Sequence, residues 1–270
     1  MSKKILFTDL DGTLLDSKKD ISKRTLDTIR DMIAGGHHFA FVTGRPLPSA
    51  LEVAEHFGFM GDGFYVAAFN GGQIYDCAKR KVITEHRMPM EYATFMFKAA
   101  HDAGLHVHTY TDDCIVCKEN TPELKFYTGP VHMEPIFADD ITKVLDKGPL
   151  KIIVMSLKSR QTLIDFRDSM LYWTDGKLCS TFSHDALLEY ALPVTTKGNA
   201  VRFLAEHLGV DIKDTIACGD EENDITMIDA AGVGVVMKNG NERVKLHADY
   251  VTMHTNDEDG MCEIIDKFVK

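Results

Sequence analysis

Ile5-Leu6-Phe7-Thr8 is an apolar run too short for a helix, and it ends in Asp9-Leu10-Asp11-Gly12-Thr13. A short apolar run closed by turn residues reads as a buried strand. The pattern then repeats. Ser22 is placed to cap a helix in which Leu26, Ile29 and Ile33 recur at helical spacing, and Gly35-Gly36 stops it. Phe39-Ala40-Phe41-Val42 is a second run, ending in Thr43-Gly44-Arg45. Pro48 starts a helix carrying Leu51, Val53, Ala54 and Phe57, and Tyr65-Val66-Ala67-Ala68-Phe69 follows, ending in Asn70-Gly71-Gly72. Strands alternating with helices predict a parallel sheet covered on both faces. Ligands of such sheets gather beyond the carboxyl ends of the strands, and here each of those ends is polar or glycine-bearing.

The rhythm changes between about 82 and 190. That stretch holds half of the twelve histidines, strand-like runs at 105–110, 114–118, 151–157 and 186–190, and the punctuating Pro122, Pro130, Pro135 and Pro149. The first pattern resumes at Lys197-Gly198. A helix follows with Val201, Leu204, Ala205 and Leu208 inward, then a strand at 215–218 and the loop Gly219-Asp220-Glu221-Glu222-Asn223-Asp224. Further strands are expected at 233–237 and Tyr250-Val251, with a last helix near 260–268. The expected organisation is a discontinuous α/β core, 1–82 and 191–270, with a second domain, 83–190, inserted into it.

The 270 residues carry 30 basic and 41 acidic side chains, a net charge of -11. That balance argues against nucleic acid or an anionic membrane as partner. A phosphorylated small molecule remains compatible, because a bound metal and a few basic groups invert the field locally. No signal-like or membrane-length apolar run follows Met1-Ser2-Lys3-Lys4, so a cytoplasmic protein is expected. The six cysteines are scattered and read as reduced, small apolar residues.

Along a strand, Asp9 and Asp11 would leave the same face. Two such acids repel unless a cation or a shared proton lies between them, and a hard cation such as Mg2+ prefers oxygen ligands. Gly12 opens backbone angles closed to other residues, and Thr13 adds a hydroxyl. The plainer reading is an ordinary Asp-Gly turn. The other strand ends weigh against it. They add Thr43 with the Gly44 amide, Lys197 at a helix start, and Asp220, Asn223 and Asp224. Carboxylates for a metal together with a hydroxyl and an ammonium for an anion suit phosphoryl transfer, which needs positioning and charge neutralisation above all.

With these four stretches in order, the chain resembles the haloacid dehalogenase superfamily, and within it the Cof-type sugar phosphatases, over its whole length. Asp9-Leu10-Asp11-Gly12-Thr13-Leu14, Thr43-Gly44-Arg45, Lys197-Gly198 and Gly219-Asp220 through Asn223-Asp224 resemble the family's four motifs. Asn70-Gly71-Gly72 and Leu188-Glu189 resemble features of the subgroup. The resemblance implies a Rossmann-like parallel-sheet core with an inserted α/β cap, and a Mg2+-dependent phosphatase acting on a small phosphorylated metabolite, as a monomer or weak homo-oligomer. It implies that Asp9 is the nucleophile and Asp11 the acid and base. It further implies that Asp9, Asp220 and the Asp11 carbonyl hold Mg2+ with support from Asp224. Leu10, Thr43, Gly44, Lys197 and Asn223 would hold the phosphoryl oxygens, with Arg45 and Asn70 as candidate substrate contacts. A phosphomutase or phosphotransferase, or a non-catalytic protein of the same fold, would share these motifs. The crowded acids argue against a pure binder.

In this resemblance the insertion is a lid that reads the leaving group, and His108, Tyr110 and Asp112, near an expected hairpin, are its candidate contacts. His106, His108, Cys114 and Cys117 also invite a zinc reading. Residues three apart face opposite ways on a regular strand, so the two cysteines fit small apolar positions better. Met88, Met90, Phe95 and Phe97 read as lid core.

Overall fold

The computed structural model describes residues 2–129, 131 and 133–270; Pro130, read above as punctuation, lies outside them. The chain opens with β1 (Ile5–Thr8), α1 (Lys23–Ala34), β2 (His38–Val42), α2 (Leu47–His56), β3 (Phe64–Ala68), β4 (Gln73–Asp76) and β5 (Lys81–Glu85). Next come α3 (Met90–Asp102), β6 (His106–Tyr110), β7 (Ile115–Cys117), α4 (Pro122–Thr128), β8 (Pro135–Phe137), β9 (Ile152–Met155), α5 (Arg160–Thr174), β10 (Cys179–His184) and β11 (Leu187–Ala191). It closes with α6 (Lys197–Leu208), β12 (Thr215–Gly219), α7 (Ile225–Ile228), β13 (Val233–Val236), α8 (Glu242–Lys245), β14 (Tyr250–Val251) and α9 (Gly260–Phe268).

One compact unit comprises the residues up to Thr84 together with Thr196–Lys270, and the other is Glu85–Thr195. Ala191, placed with the core on sequence grounds, pairs with Cys179 in the inserted sheet, so the chain returns to the first unit later than expected.

The first unit carries an eight-stranded sheet in the order β14-β13-β12-β1-β2-β3-β4-β5. Its strands from β14 to β3 are parallel, and β4 runs antiparallel to β3. From β1 the chain winds one way through β2 and β3; after the insertion, β12, β13 and β14 wind the other way. The order therefore reverses between β1 and β12, the place beyond the strand ends where ligands of such sheets bind. β1 and β12 are buried along their length, as a strand covered on both faces must be. α6 covers one face, with Ala200, Val201, Leu204 and Ala205 packed on Phe7, Ala40 and Ala217. Thr196 caps it, its Oγ1 accepting from the Asn199 N–H at 3.1 Å. Burying one such Leu or Val contributes about 1.5–3 kcal/mol. In α1 the buried line is Thr25, Ile29 and Met32, with Leu26 and Ile33 only half-buried. The expected stripe is thus rotated: the Thr25 hydroxyl turns inward to Asp259 on the α9 side, at 3.2 Å.

The inserted unit has a six-stranded sheet, β10-β11-β9-β6-β7-β8, antiparallel except for β7 and β8. One face is apolar: Val107, Val116, Ile152, Val154, Leu188 and Tyr190 pack with Met88, Met96, Phe97, Leu163 and Phe166 of its helical layer. Met90 and Phe95 lie at the edge of that cluster.

The other face carries a buried polar chain. The Thr121 hydroxyl lies 2.8 Å from His106 Nδ1, His106 Nε2 lies 3.1 Å from His108 Nδ1, and the Tyr110 hydroxyl reaches both His108 Nε2, at 3.3 Å, and the Tyr127 hydroxyl. Lys151 and Glu189 form a buried pair at 3.0 Å, and Ser183 Oγ donates to Glu189 at 2.6 Å. All four imidazole nitrogens are thus occupied, and Cys117 Sγ turns to the Glu119 carbonyl. Among the described residues these histidines and cysteines form no metal-holding cluster, which corrects the zinc reading. His108 and Tyr110 are interior groups rather than exposed polar tips; Asp112 is exposed and pairs with Arg87 at 2.6 Å. Alternation along β6 placed them on one face, but α4, whose Tyr127 ring lies 4.4 Å from that of His108, covers it.

Burial pushes the His106 imidazole down to about 4 and drives His108 well below its usual 6.5, with the neighbouring His106 and Lys151 charges adding to the latter. Both fold neutral, whereas the unfolded chain takes up protons near 6.5. Their contribution to stability is full above that pH and is lost as pH falls toward 4, by about 1.4 kcal/mol per pH unit for each. Urea melts at pH 7.5 and 5.0 are expected to show His106→Gln losing about 2 kcal/mol less on acidification than the parent. Equal losses would mean that His106 is solvated.

Candidate active site

Asp9 follows the last residue of β1, and its N–H donates to the Cys218 carbonyl of β12 at 3.0 Å. Asp220 follows β12, and Asp224 lies one turn further on. The three carboxylates are buried, each offering an oxygen within 4.8 Å of the others. Lys197, the first residue of α6 and itself buried, places Nζ 2.5 Å from Asp9 Oδ1 and 2.6 Å from Asp224 Oδ1. The second Asp224 oxygen accepts the Asp220 and Glu221 N–H groups at 2.9 and 3.0 Å. Asp224 thus links the lysine to the Asp220 loop. Thr13 Oγ1 donates to Asp220 Oδ1 at 2.6 Å.

Close packing explains the glycines here. A Cβ on Gly12, whose φ is +86°, would lie 2.3 Å from Asp220 Oδ2, and one on Gly219 would lie 2.3 Å from Asp224. A Cβ on Gly198 would meet the Thr226 carbonyl at 2.2 Å, so Lys197-Gly198 is also a packing signal.

Burial pushes the Asp9 carboxyl up to about 6 even against the Lys197 charge, and pushes Asp220 up to about 7 against the Thr13 hydrogen bond. Burial opposes the charged form of Lys197 too, yet Asp224 and Asp9 carry it above the usual lysine range. Three buried acids facing one ammonium leave an excess of negative charge, and a hard divalent cation would neutralise it.

Asp11 behaves differently. Its carboxylate receives Arg45 Nε at 2.9 Å, Arg45 Nη2 at 2.7 Å and Lys19 Nζ at 2.7 Å. Burial alone would raise its pKa, but these two cations hold it below the usual carboxylate range. The alternation that put Asp9 and Asp11 on one face applies only inside a strand, and β1 ends at Thr8. The Asp11 charge is therefore balanced by Arg45 and Lys19 rather than by a cation shared with the Asp9 carboxylate. Arg45, read above as a substrate contact, is engaged in that pair.

Leu10 is buried and its carbonyl accepts from Leu14 and Leu15 at 3.2 and 2.8 Å. Thr43 follows β2, its Oγ1 accepting the Arg45 N–H at 3.2 Å. Beside it the backbone takes a costly path: Phe69, Asn70 and Gly71 have φ of 51°, 56° and 90°. Non-glycine residues held there cost of order 1–3 kcal/mol each. The Phe69 N–H donates to the Arg45 carbonyl at 2.9 Å and the Asn70 N–H to the Thr43 carbonyl at 2.8 Å, which tie the turn to the Thr43-Gly44-Arg45 loop. Asn70 Oδ1 is buried against Gly44 with no hydrogen-bond partner among the described residues. Asn223 is exposed on the turn between Asp220 and Asp224. Lys19, Asn239 and Asn256 also reach this loop system. Asn239-Gly240 is a turn signal, but nothing local shows how far that turn reaches.

Residues 6–265 match the family described as haloacid dehalogenase-like hydrolases. The chain belongs to that family. A crystal structure of a haloacid dehalogenase-like hydrolase from Bacteroides thetaiotaomicron superposes with a TM-score of 0.90 at 29% identity, over 98% of this chain and 99% of that one. A Streptococcus pyogenes serotype M6 protein, whose name assigns it provisionally to the phosphatases, is 29% identical over 100% of this chain and 99% of its own. The HMP-PP phosphatase of Yersinia pseudotuberculosis serotype O:1b is 26% identical over 88% of this chain and 84% of its own. The fold expected of the family, a parallel-sheet core interrupted by an α/β cap, is the fold observed. No helix among the described residues is long and apolar enough to cross a membrane.

Proposed function

We propose that this hydrolase is a Mg2+-dependent phosphatase of small phosphorylated metabolites, sugar phosphates foremost, working through an aspartyl-phosphate on Asp9. The observation that carries the reading is the buried Asp9–Lys197–Asp224 bridge beside Asp220 at the reversal of strand order. Names of similar proteins point the same way, and the Cof-type resemblance supplies the sugar-phosphate part.

Asp9 attacks phosphorus while the bond to the leaving oxygen breaks, and Asp11 gives that oxygen its proton. Water then attacks the acylphosphate phosphorus and yields its proton to Asp11; the bond to Asp9 breaks and inorganic phosphate leaves. Lys197, the Thr43 hydroxyl, the Leu10 and Gly44 amides and Asn223 hold the phosphoryl oxygens. Asp9, Asp220 and the Asp11 carbonyl are the oxygen donors that fit Mg2+, with Asp224 fixing Asp220 and Lys197. The ion, when bound, draws charge from the transferring group. In the free chain Arg45 and Lys19 keep Asp11 ionised. A phosphate dianion competes for Arg45, and freeing Asp11 from that cation raises its affinity for the proton that an acid must carry.

Phosphate release is to be measured across a panel of sugar phosphates, HMP-PP and p-nitrophenyl phosphate. Turnover is expected with Mg2+, and its loss with chelator or with Ca2+, whose larger ligand number suits this tight site poorly. Full activity in excess chelator would overturn the metal assignment. Transfer to a second sugar in place of water would make the protein a phosphotransferase, and an isomeric sugar phosphate as product a phosphomutase.

A further inference from the structure

The loop that carries Asp9 and Asp11 is gripped from outside by two asparagines. Asn239 Nδ2 donates to the Gly12 carbonyl at 2.8 Å, and Asn239 Oδ1 accepts the Asn256 N–H at 3.0 Å. Asn256 Nδ2 in turn donates to the Leu15 carbonyl at 2.9 Å. The turn that holds Asn239 follows β13. It therefore reaches past the intervening β12 loop, where the Asn241 N–H donates to the Asp220 carbonyl at 2.8 Å, to arrive at the β1 loop. Within the loop the Leu10 carbonyl accepts from Leu14 and Leu15, and Asp11 bridges to Leu15.

We propose that Asn239 and Asn256 are positioning residues that set the register of the Asp9–Gly12 turn against Asp220, an inference that rests on the phosphatase reading. Neither touches the carboxylates. They act through Gly12, the one residue of the turn with φ at +86° and with Asp220 Oδ2 where its Cβ would be. Glycine has the widest choice of backbone angles, so its carbonyl stays put only while something holds it. Thr13, next in the chain, donates to Asp220 Oδ1 at 2.6 Å and passes any shift of the turn to the metal-site carboxylate. Misplacing reacting groups by about 1 Å costs on the order of 100-fold in rate.

The test uses the full chain with Asn239→Asp, which keeps the acceptor and removes the donor, and Asn256→Ala, which keeps its own N–H. Each is expected to lower kcat on p-nitrophenyl phosphate about 10- to 100-fold, with KM little changed. Each should also weaken Mg2+ binding in calorimetry several-fold, and speed amide exchange in residues 11–16. The double variant should be no worse than the poorer single one, because both act on one loop. Folded variants with parental kcat and Mg2+ affinity would overturn the proposal, as would a fall in melting temperature with neither quantity moved. If Asn239→Asp fails to fold, Asn256→Ala decides. Should the parent protein hydrolyse no phosphomonoester, the phosphatase reading fails by itself. Mg2+ affinity and amide exchange then judge the bracket.

Discussion

Asp9→Asn is expected to reduce turnover by at least about 10,000-fold on every phosphomonoester and yet to leave the ligand-free protein more stable at pH 7.5. The carboxamide is a poor nucleophile, so on the proposed mechanism no acylphosphate forms. The stability gain follows from the sign of the pKa shift. Burial raises the folded Asp9 carboxyl to about 6 from a usual 3.8. Folding is therefore favoured by the proton, and the penalty grows as pH rises through 3.8 to 6 and is fully present above it. Removing the charge should relieve about 1–3 kcal/mol of that penalty. Single-turnover phosphate release and thermal melts without divalent ions check the two halves. Near-parental turnover would show that Asp9 is not the nucleophile. A lower melting temperature would show that the Lys197 bridge outweighs the cost of burial.

Lys197→Met is expected to damage both activity and fold. Its ammonium is the group that meets both Asp9 and Asp224, and the methionine side chain fills a similar volume without charge. Taking one partner from a buried ion pair costs about 3–5 kcal/mol, because the remaining charges stay buried. The variant should melt lower without divalent ions and recover more than the parent does when Mg2+ is added, since a cation then replaces part of the lost charge. Turnover should fall on the order of 1,000-fold or more, through loss of a donor to the phosphoryl oxygens. If stability were unchanged and Mg2+ made no difference, the cluster would be holding protons rather than charge.

These expectations rest on residues whose pattern is visible in the chain, and it matters which parts were legible. The apolar runs 5–8, 39–42, 65–69 and 215–218 pointed to buried strands by their shortness and the turn residues behind them, and strands ending at Thr8, Val42, Ala68 and Gly219 are found there, with Phe69 already turned out of the third at a φ of 51°. Gly12, Gly198 and Gly219 stood beside the acids and the lysine because carboxylates and a carbonyl fill the space of a Cβ. The order of the four stretches identified the family, and the change of rhythm near 82 was the sign of an insertion; the second compact unit runs from Glu85 to Thr195.

Other features depend on what the fold brings together. The partner of Asp11 is Arg45, at the end of the neighbouring strand, and Lys19, in a later turn; strand alternation could not show it, because alternation stops where β1 stops. His-x-His on β6 said only that two imidazoles share a face. Whether that face meets a metal, solvent or α4 is decided by a helix that comes later in the chain, and α4 with Tyr127 covers it. Asn239 and Asn256 grip a loop more than two hundred residues earlier. Periodicity along the chain records which side of an element is buried, since that depends on neighbours three or four residues away. The partner that buries it is chosen by sheet order and loop path, and these exist only once the whole chain has folded.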